Sequence, residues 1–213
     1  MAVKNMNNFS SLCEICAPTS FVTTYLDESI SVLEKVAANQ EFVELIVQMA
    51  RAIEVAMRSG HKLLIAGNGG SAGDAQHLAA EFTGRFAFDR PPLPAIALTT
   101  DTSAITAIGN DYDFDAIFSR QLQALASAGD VFLGISTSGN SRNVLRAAEM
   151  ARELHLTVIG LTGRNGGSLS AFCDLLLAVP SSRTALVQQI HITAGHLICG
   201  LVEQNIFSSN NRP

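Results

Sequence analysis

The chain has 213 residues, of which 47% are hydrophobic and only 15% charged, with a formal net charge of −5. That length suits one large domain. An acidic balance with no basic patch argues against nucleic acid as the main ligand. No uninterrupted apolar run reaches the ~18–20 residues of a bilayer span. Met1 to Ser20 carries no apolar signal-peptide core, so the expectation is a cytoplasmic protein with no membrane partner. So few charges also point to surface buried between copies of the chain.

Residues 1–18 read as a flexible leader, 19–207 as one domain, and 208–213 as a loose tail. The leader holds Cys13-Glu14-Ile15-Cys16, the C-x-x-C spacing of zinc and redox sites. No second such pair exists and no strand precedes it, so it is read as an ordinary pair. Cys173 and Cys199 flank apolar segments and read as small core residues. Two amphipathic helices come first: Ser20 to about Asn39, with Phe21, Tyr25, Ile30, Leu33 and Val36 on one stripe, then a segment from Phe42 to Met57. Preceding any strand, they are free to cover a sheet or to form a subunit interface.

A βα alternation follows. Strands are expected at 63–66, 94–98, 131–135, 157–161 and 175–179. Helices are expected at 71–84, through Ala107 to about Asp111, 113–126, 143–154, a short one at 166–172, and a long one at 184–206. In the 113–126 helix, Phe114, Ile117, Phe118, Leu122 and Leu125 should face inward. Five apolar strands without polar alternation mark a parallel sheet buried on both faces. The fold class is therefore α/β: a three-layer αβα sandwich around a five-stranded parallel sheet, with an N-terminal helical extension. Ligands then sit beyond the carboxyl ends of the strands.

Those strand ends carry the chemistry. The first opens into Gly67-Asn68-Gly69-Gly70-Ser71, then a helix with His77 and Glu81 four residues apart on one face. That pairing asks for a polar ligand and either a metal or acid–base work. The third ends in Ser136-Thr137-Ser138-Gly139-Asn140-Ser141. Hydroxyls and free amides at a helix N-terminus suit a phosphate dianion. The turn is neither a G-x-G-x-x-G nor a G-x-x-x-x-G-K-[ST] loop, and no Lys follows, which disfavours nucleoside triphosphate chemistry. The last helix carries Gln188, Gln189, His191 and His196 in apolar surroundings. Gln188 and His196, eight residues apart, share a side, while His191 falls off that line and reads as supporting or interface-facing.

The ordered motifs resemble the sugar isomerase (SIS) superfamily, in particular the phosphoheptose isomerases. The matching residues are Gly67 to Ser71 with Asp74, Gln76, His77 and Glu81, then Phe88 to Pro91, Ala107 to Asp111 and Phe118 to Gln121. Ser136 to Ser141, Leu161 to Gly163, Gly166-Gly167 and Gln188 to His196 complete the set, spanning roughly 20–207. The resemblance implies a flavodoxin-like SIS domain and one zinc per subunit held by His77, Glu81, Gln188 and His196. It implies phosphate contacts from Ser136, Thr137, Ser138 and Ser141, and sugar contacts from Asn68, Gly69, Gly70, Asn110, Asp111, Gln188 and Glu81. It also implies a homotetramer with its sites between subunits. The implied chemistry converts sedoheptulose 7-phosphate to D-glycero-D-manno-heptose 7-phosphate through a cis-enediol(ate), with Glu81 as base and His196 as acid. The chain departs from the family at Gln189, where an acidic residue is usual. Two other functions share the superfamily: a non-enzymatic tetramer that binds the replication initiator DnaA, and a sugar-phosphate sensor. Glu81 and His196 argue for the enzyme, and no DNA-binding segment accompanies a sensor reading.

Overall fold

A computed structural model of the chain describes residues 18–207. The expected leader with its Cys13/Cys16 pair and the expected tail from 208 lie outside the described residues, apart from Pro18, which opens the first helix. Five strands form one parallel sheet: β1 (Leu63–Gly67), β2 (Ala95–Ala97), β3 (Val131–Ser136), β4 (Thr157–Thr162) and β5 (Leu175–Ala178). Their order is β2-β1-β3-β4-β5. Every residue of β1 and β3 is buried, which is why these strands read as apolar runs.

Successive side chains leave a strand on opposite faces, and two cores result. Leu63 and Ile65 of β1 and Leu133 and Ile135 of β3 join α2 (Gln40–Arg58), α3 (Gly70–Thr83) and α7 (Thr184–Phe207). Leu64, Ala66 and Phe132 join α5 (Ser119–Leu125) and α6 (Arg142–Glu153), with Ile105 and Ile108 of α4 (Thr102–Asp111) packed alongside. The sandwich has its expected three layers. Asn39 caps α2, its Oδ1 accepting the Phe42 N–H at 3.2 Å. By length and composition α7 would pass for a membrane span, yet half of its apolar window is buried inside the fold, against α2 and α3.

Two local expectations are corrected. In α1 (Pro18–Ala37) only Val32 and Val36 are buried, while Phe21 and Ile30 are 62% and 55% exposed. The helix carries two apolar stripes, and the chain's own core uses the one with Val32 and Val36. The expected helix over 113–126 is broken. Asp113 is extended, a 3-10 turn covers Phe114–Ala116, and α5 begins only at Ser119. Asp113 pairs with Arg146 and Asp115 with Arg142, both on α6, which pins the turn. Phe114 and Leu125 consequently face outward, while Ile117, Phe118 and Leu122 are buried.

Strand order reverses between β1 and β3, neighbours in the sheet although β2 intervenes in the chain. The turns that leave these two strands therefore flank the crevice where ligands enter such sheets.

Candidate active site

The turn after β1 is shaped by its glycines. Gly69 precedes α3 at φ +55°, which favours glycine. A Cβ on Gly70 would lie 2.4 Å from Gln188 Nε2, so the bare backbone lets α7 approach the start of α3. Asn68 is locked by Asn143, each amide nitrogen donating to the other's oxygen at 2.8 Å. Asn143 is buried on the first turn of α6, and its Oδ1 also accepts the Val144 N–H. Asn143 carries no signal in the sequence, because an Asn beside a Ser-rich turn reads as an ordinary cap.

The turn after β3 gathers hydroxyls as expected. Ser136 Oγ donates to Ser141 Oγ at 3.0 Å and lies 3.5 Å from Ser138 Oγ, which accepts the Asn140 N–H. Ser141 precedes α6 without bonding an N–H there through its side chain, and although Asn143 Oδ1 takes the Val144 N–H, the start of the helix still presents its dipole to an anion. The Thr137 carbonyl accepts the Gly163 N–H, and Asn140 Oδ1 accepts the Ser168 N–H, tying this turn to the one after β4. Gly139, at φ +67°, stacks directly on Gly166 and Gly167.

His77 and Glu81 sit one turn apart on α3, and His196 reaches them from α7. His77 Nε2 lies 2.8 Å from His196 Nε2 and 3.3 Å from Glu81 Oε1. One ligand atom from each of the three falls within 4.8 Å of the others. The helices approach closely here because a Cβ on Gly195 would strike Leu78 Cδ2 at 2.5 Å. Two imidazole nitrogens and a carboxylate oxygen are a donor set that fits zinc, and three protein ligands leave the open position of a catalytic site. Phe86 walls the triad, its ring centroid 5.7 Å from that of His196.

The other expected residues separate. Gln188 rests against Gly70, eight residues and so about 12 Å along α7 from His196. Three of the four expected metal ligands thus meet directly. Asn110 and Asp111 are exposed, and Asn110 Nδ2 donates to Asp111 Oδ1 at 2.8 Å. Gln189 donates to Tyr25 Oη of α1 at 3.1 Å. His191 is fully buried, its Nε2 on the Thr162 carbonyl at 3.0 Å, so it supports the core and does not face an interface. Burial pushes its pKa down to about 4. Asp74, one turn before His77, has its carboxyl raised by burial, with His77 pulling partly the other way. Its Oδ2 has no hydrogen-bond partner among the described residues.

Known proteins resemble this chain in sequence and fold. Residues 24–163 match the SIS domain family. A phosphoheptose isomerase from Nitratidesulfovibrio vulgaris is 62% identical over 164 residues, covering 77% of this chain and 79% of its own length. One from Aneurinibacillus thermoaerophilus is 53% identical over 188 residues, 88% of this chain and 94% of its own. The solved phosphoheptose isomerase of Neisseria gonorrhoeae superposes with a TM-score of 0.82 at 47% identity, over 87% of this chain and 98% of the other. The family match and these likenesses show that the chain belongs to the SIS domain family, among its phosphoheptose isomerases.

Proposed function

We propose that the chain interconverts sedoheptulose 7-phosphate and D-glycero-D-manno-heptose 7-phosphate, and that it does so as a cytoplasmic homotetramer. The observation that carries the reading is the convergence of His77, Glu81 and His196 beside a crevice that also holds an anion cradle. The phosphate rests on the hydroxyls of Ser136, Thr137, Ser138 and Ser141 and on the α6 N-terminus. Asn68, Gly69, Gly70 and Gln188 line the path from the cradle towards α3, and Asn110 and Asp111 would reach the sugar from the rim. Glu81 removes the proton from the carbon beside the carbonyl, and His196 protonates the oxygen, giving an enediol that collapses to the aldose. Glu81 Oε1 faces His77, which leaves Oε2 for the proton. His77, Glu81 and His196 would hold zinc. When bound, that ion supplies Lewis-acid polarisation of the sugar oxygens. Zinc on one ring nitrogen of His196 would leave the other to carry the proton.

The outward stripe of α1 supports assembly. Phe21, Val22, Leu26, Ile30 and Leu33 are all exposed, a contiguous apolar face of the kind that marks a protein contact. The test of function is turnover of sedoheptulose 7-phosphate with and without a chelator. Conversion lost on chelation and restored by zinc is expected. Conversion indifferent to metal would remove the zinc role, and no conversion under any condition would remove the isomerase. Glu81→Gln is expected to lower kcat by at least about 100-fold while the chain still assembles. Near wild-type turnover in that variant would reassign the base.

A further inference from the structure

Arg90 and Glu203 are the most deeply buried ion pair described, with side chains 2% and 1% exposed. Arg90 Nε donates to Glu203 Oε1 at 2.9 Å. Its Nη2 donates to the carbonyl of Glu81 at 2.8 Å, and its Nη1 to the carbonyls of Phe82 at 2.7 Å, Gly84 at 3.1 Å and Pro91 at 3.0 Å. The guanidinium thus satisfies carbonyls that the end of α3 leaves without helical partners. Glu203 in turn accepts the N–H groups of Phe86 at 2.9 Å and Ala87 at 2.7 Å. It stands seven residues after His196, two turns along the same face of α7. Phe86, fixed through its backbone by Glu203, lies across Gly200, where a Cβ would come within 3.2 Å of its ring, and against His196.

One buried pair therefore grips α3 at the peptide of Glu81, the 84–91 loop behind Phe86, and α7 below His196. We infer that Arg90 and Glu203 are positioning residues that set the separation of His77 and Glu81 from His196, and hold Phe86 as the wall of the triad. The inference rests on the triad being the reacting centre. A buried pair that only held the fold together would not need to join these particular groups. Glu54 provides the contrast. It is equally buried, and it ties Arg51 and Arg58 of α2 to Asn205 of α7, at the same end of that helix, without touching α3.

The test compares Arg90→Lys, Glu203→Gln and the control Glu54→Gln. Zinc affinity by competition with a chromophoric chelator, kcat, KM and Tm are measured on each, and a crystal structure of Glu203→Gln is determined. Arg90→Lys and Glu203→Gln are expected to weaken zinc binding and lower kcat by about tenfold or more. KM should stay within about twofold, because the hydroxyl turn hangs on β3 and α6, which the pair does not touch. Glu54→Gln should lower Tm and leave zinc affinity in place. The crystal structure should show the His77 and His196 Nε2 atoms parted well beyond the present 2.8 Å. Unchanged affinity in the first two variants, or an equal loss in Glu54→Gln, would reduce the pair to a structural role. If the wild-type chain binds no zinc, the metal reading fails by itself, and an undisturbed His77–His196 contact in Glu203→Gln would overturn the positioning claim. If Arg90→Lys does not fold, Glu203→Gln, which keeps one acceptor oxygen for the loop, decides the matter.

Discussion

Gly70 leaves no room for a methyl group, because the Gln188 amide already occupies that space. Gly70→Ala should swing Gln188 out of the crevice. Small displacements of positioning groups cost much in rate, so kcat/KM is expected to fall by about 10- to 100-fold. Zinc affinity should hold, since His77, Glu81 and His196 keep their places; steady-state kinetics and a metal titration check both. Much at this scale was legible in the sequence. His77 and Glu81 show themselves by helical spacing, and the serines cluster within six residues of chain. Arg90 lies in the Phe88 to Pro91 motif, but its pairing with Glu203 does not show, because 113 residues separate them. Asn143 is hidden for a related reason: its partner, Asn68, is 75 residues away. Pairings of this kind arise from packing alone.

The helices differ in how far the chain itself accounts for them. Among the described residues the outer stripe of α1 stays exposed, and Ile30→Glu would put a charge in its middle. If the stripe is where copies meet, this change should shift the assembly to smaller species by sedimentation while circular dichroism stays unchanged. An unaltered sedimentation coefficient would place the contact elsewhere. The strands were readable to within a residue or two, because runs such as Val131 to Ile135 have no polar interruption. The interruption at 113–126 was not readable. Its cause is Arg142 and Arg146, on a helix that comes later in the chain. What covers the outer stripe of α1 is left open by the sequence, because apolar periodicity reports that a face will be covered without saying by which chain.

For the molecule as a whole, acid is the informative stress. His191 in the unfolded chain takes up a proton near the ordinary pKa of about 6.5, whereas burial holds the native side chain neutral down to about 4. The unfolded state therefore binds more protons between those values, and native stability falls as pH drops from about 6.5 to 4, by about 3 kcal/mol. Glu203 adds a second limb. Burial alone would raise its pKa, but the Phe86 and Ala87 N–H groups and Arg90 outweigh burial and hold it low. Its contribution is present above the ordinary carboxylate range and is lost on further acidification. Urea midpoints at pH 7, 5 and 4 should fall steeply for the wild type and less steeply for His191→Gln. Parallel curves would remove His191 from the account. None of this follows from composition, since the formal charge says nothing about which histidine is dry.

The stacking of Gly139 on Gly166 and Gly167 bears on how such a molecule can be altered. A methyl group on Gly139 would lie 2.1 Å from the Gly166 carbonyl oxygen, and one on Gly167 would meet the Gly139 backbone at 2.6 Å. Neither turn can gain a side chain by a single substitution, so the two backbones are one unit of change. A laboratory search for new sugar-phosphate preferences would find these positions barren one at a time. Its variation would have to come from the hydroxyl-bearing neighbours, or from transplanting both turns together.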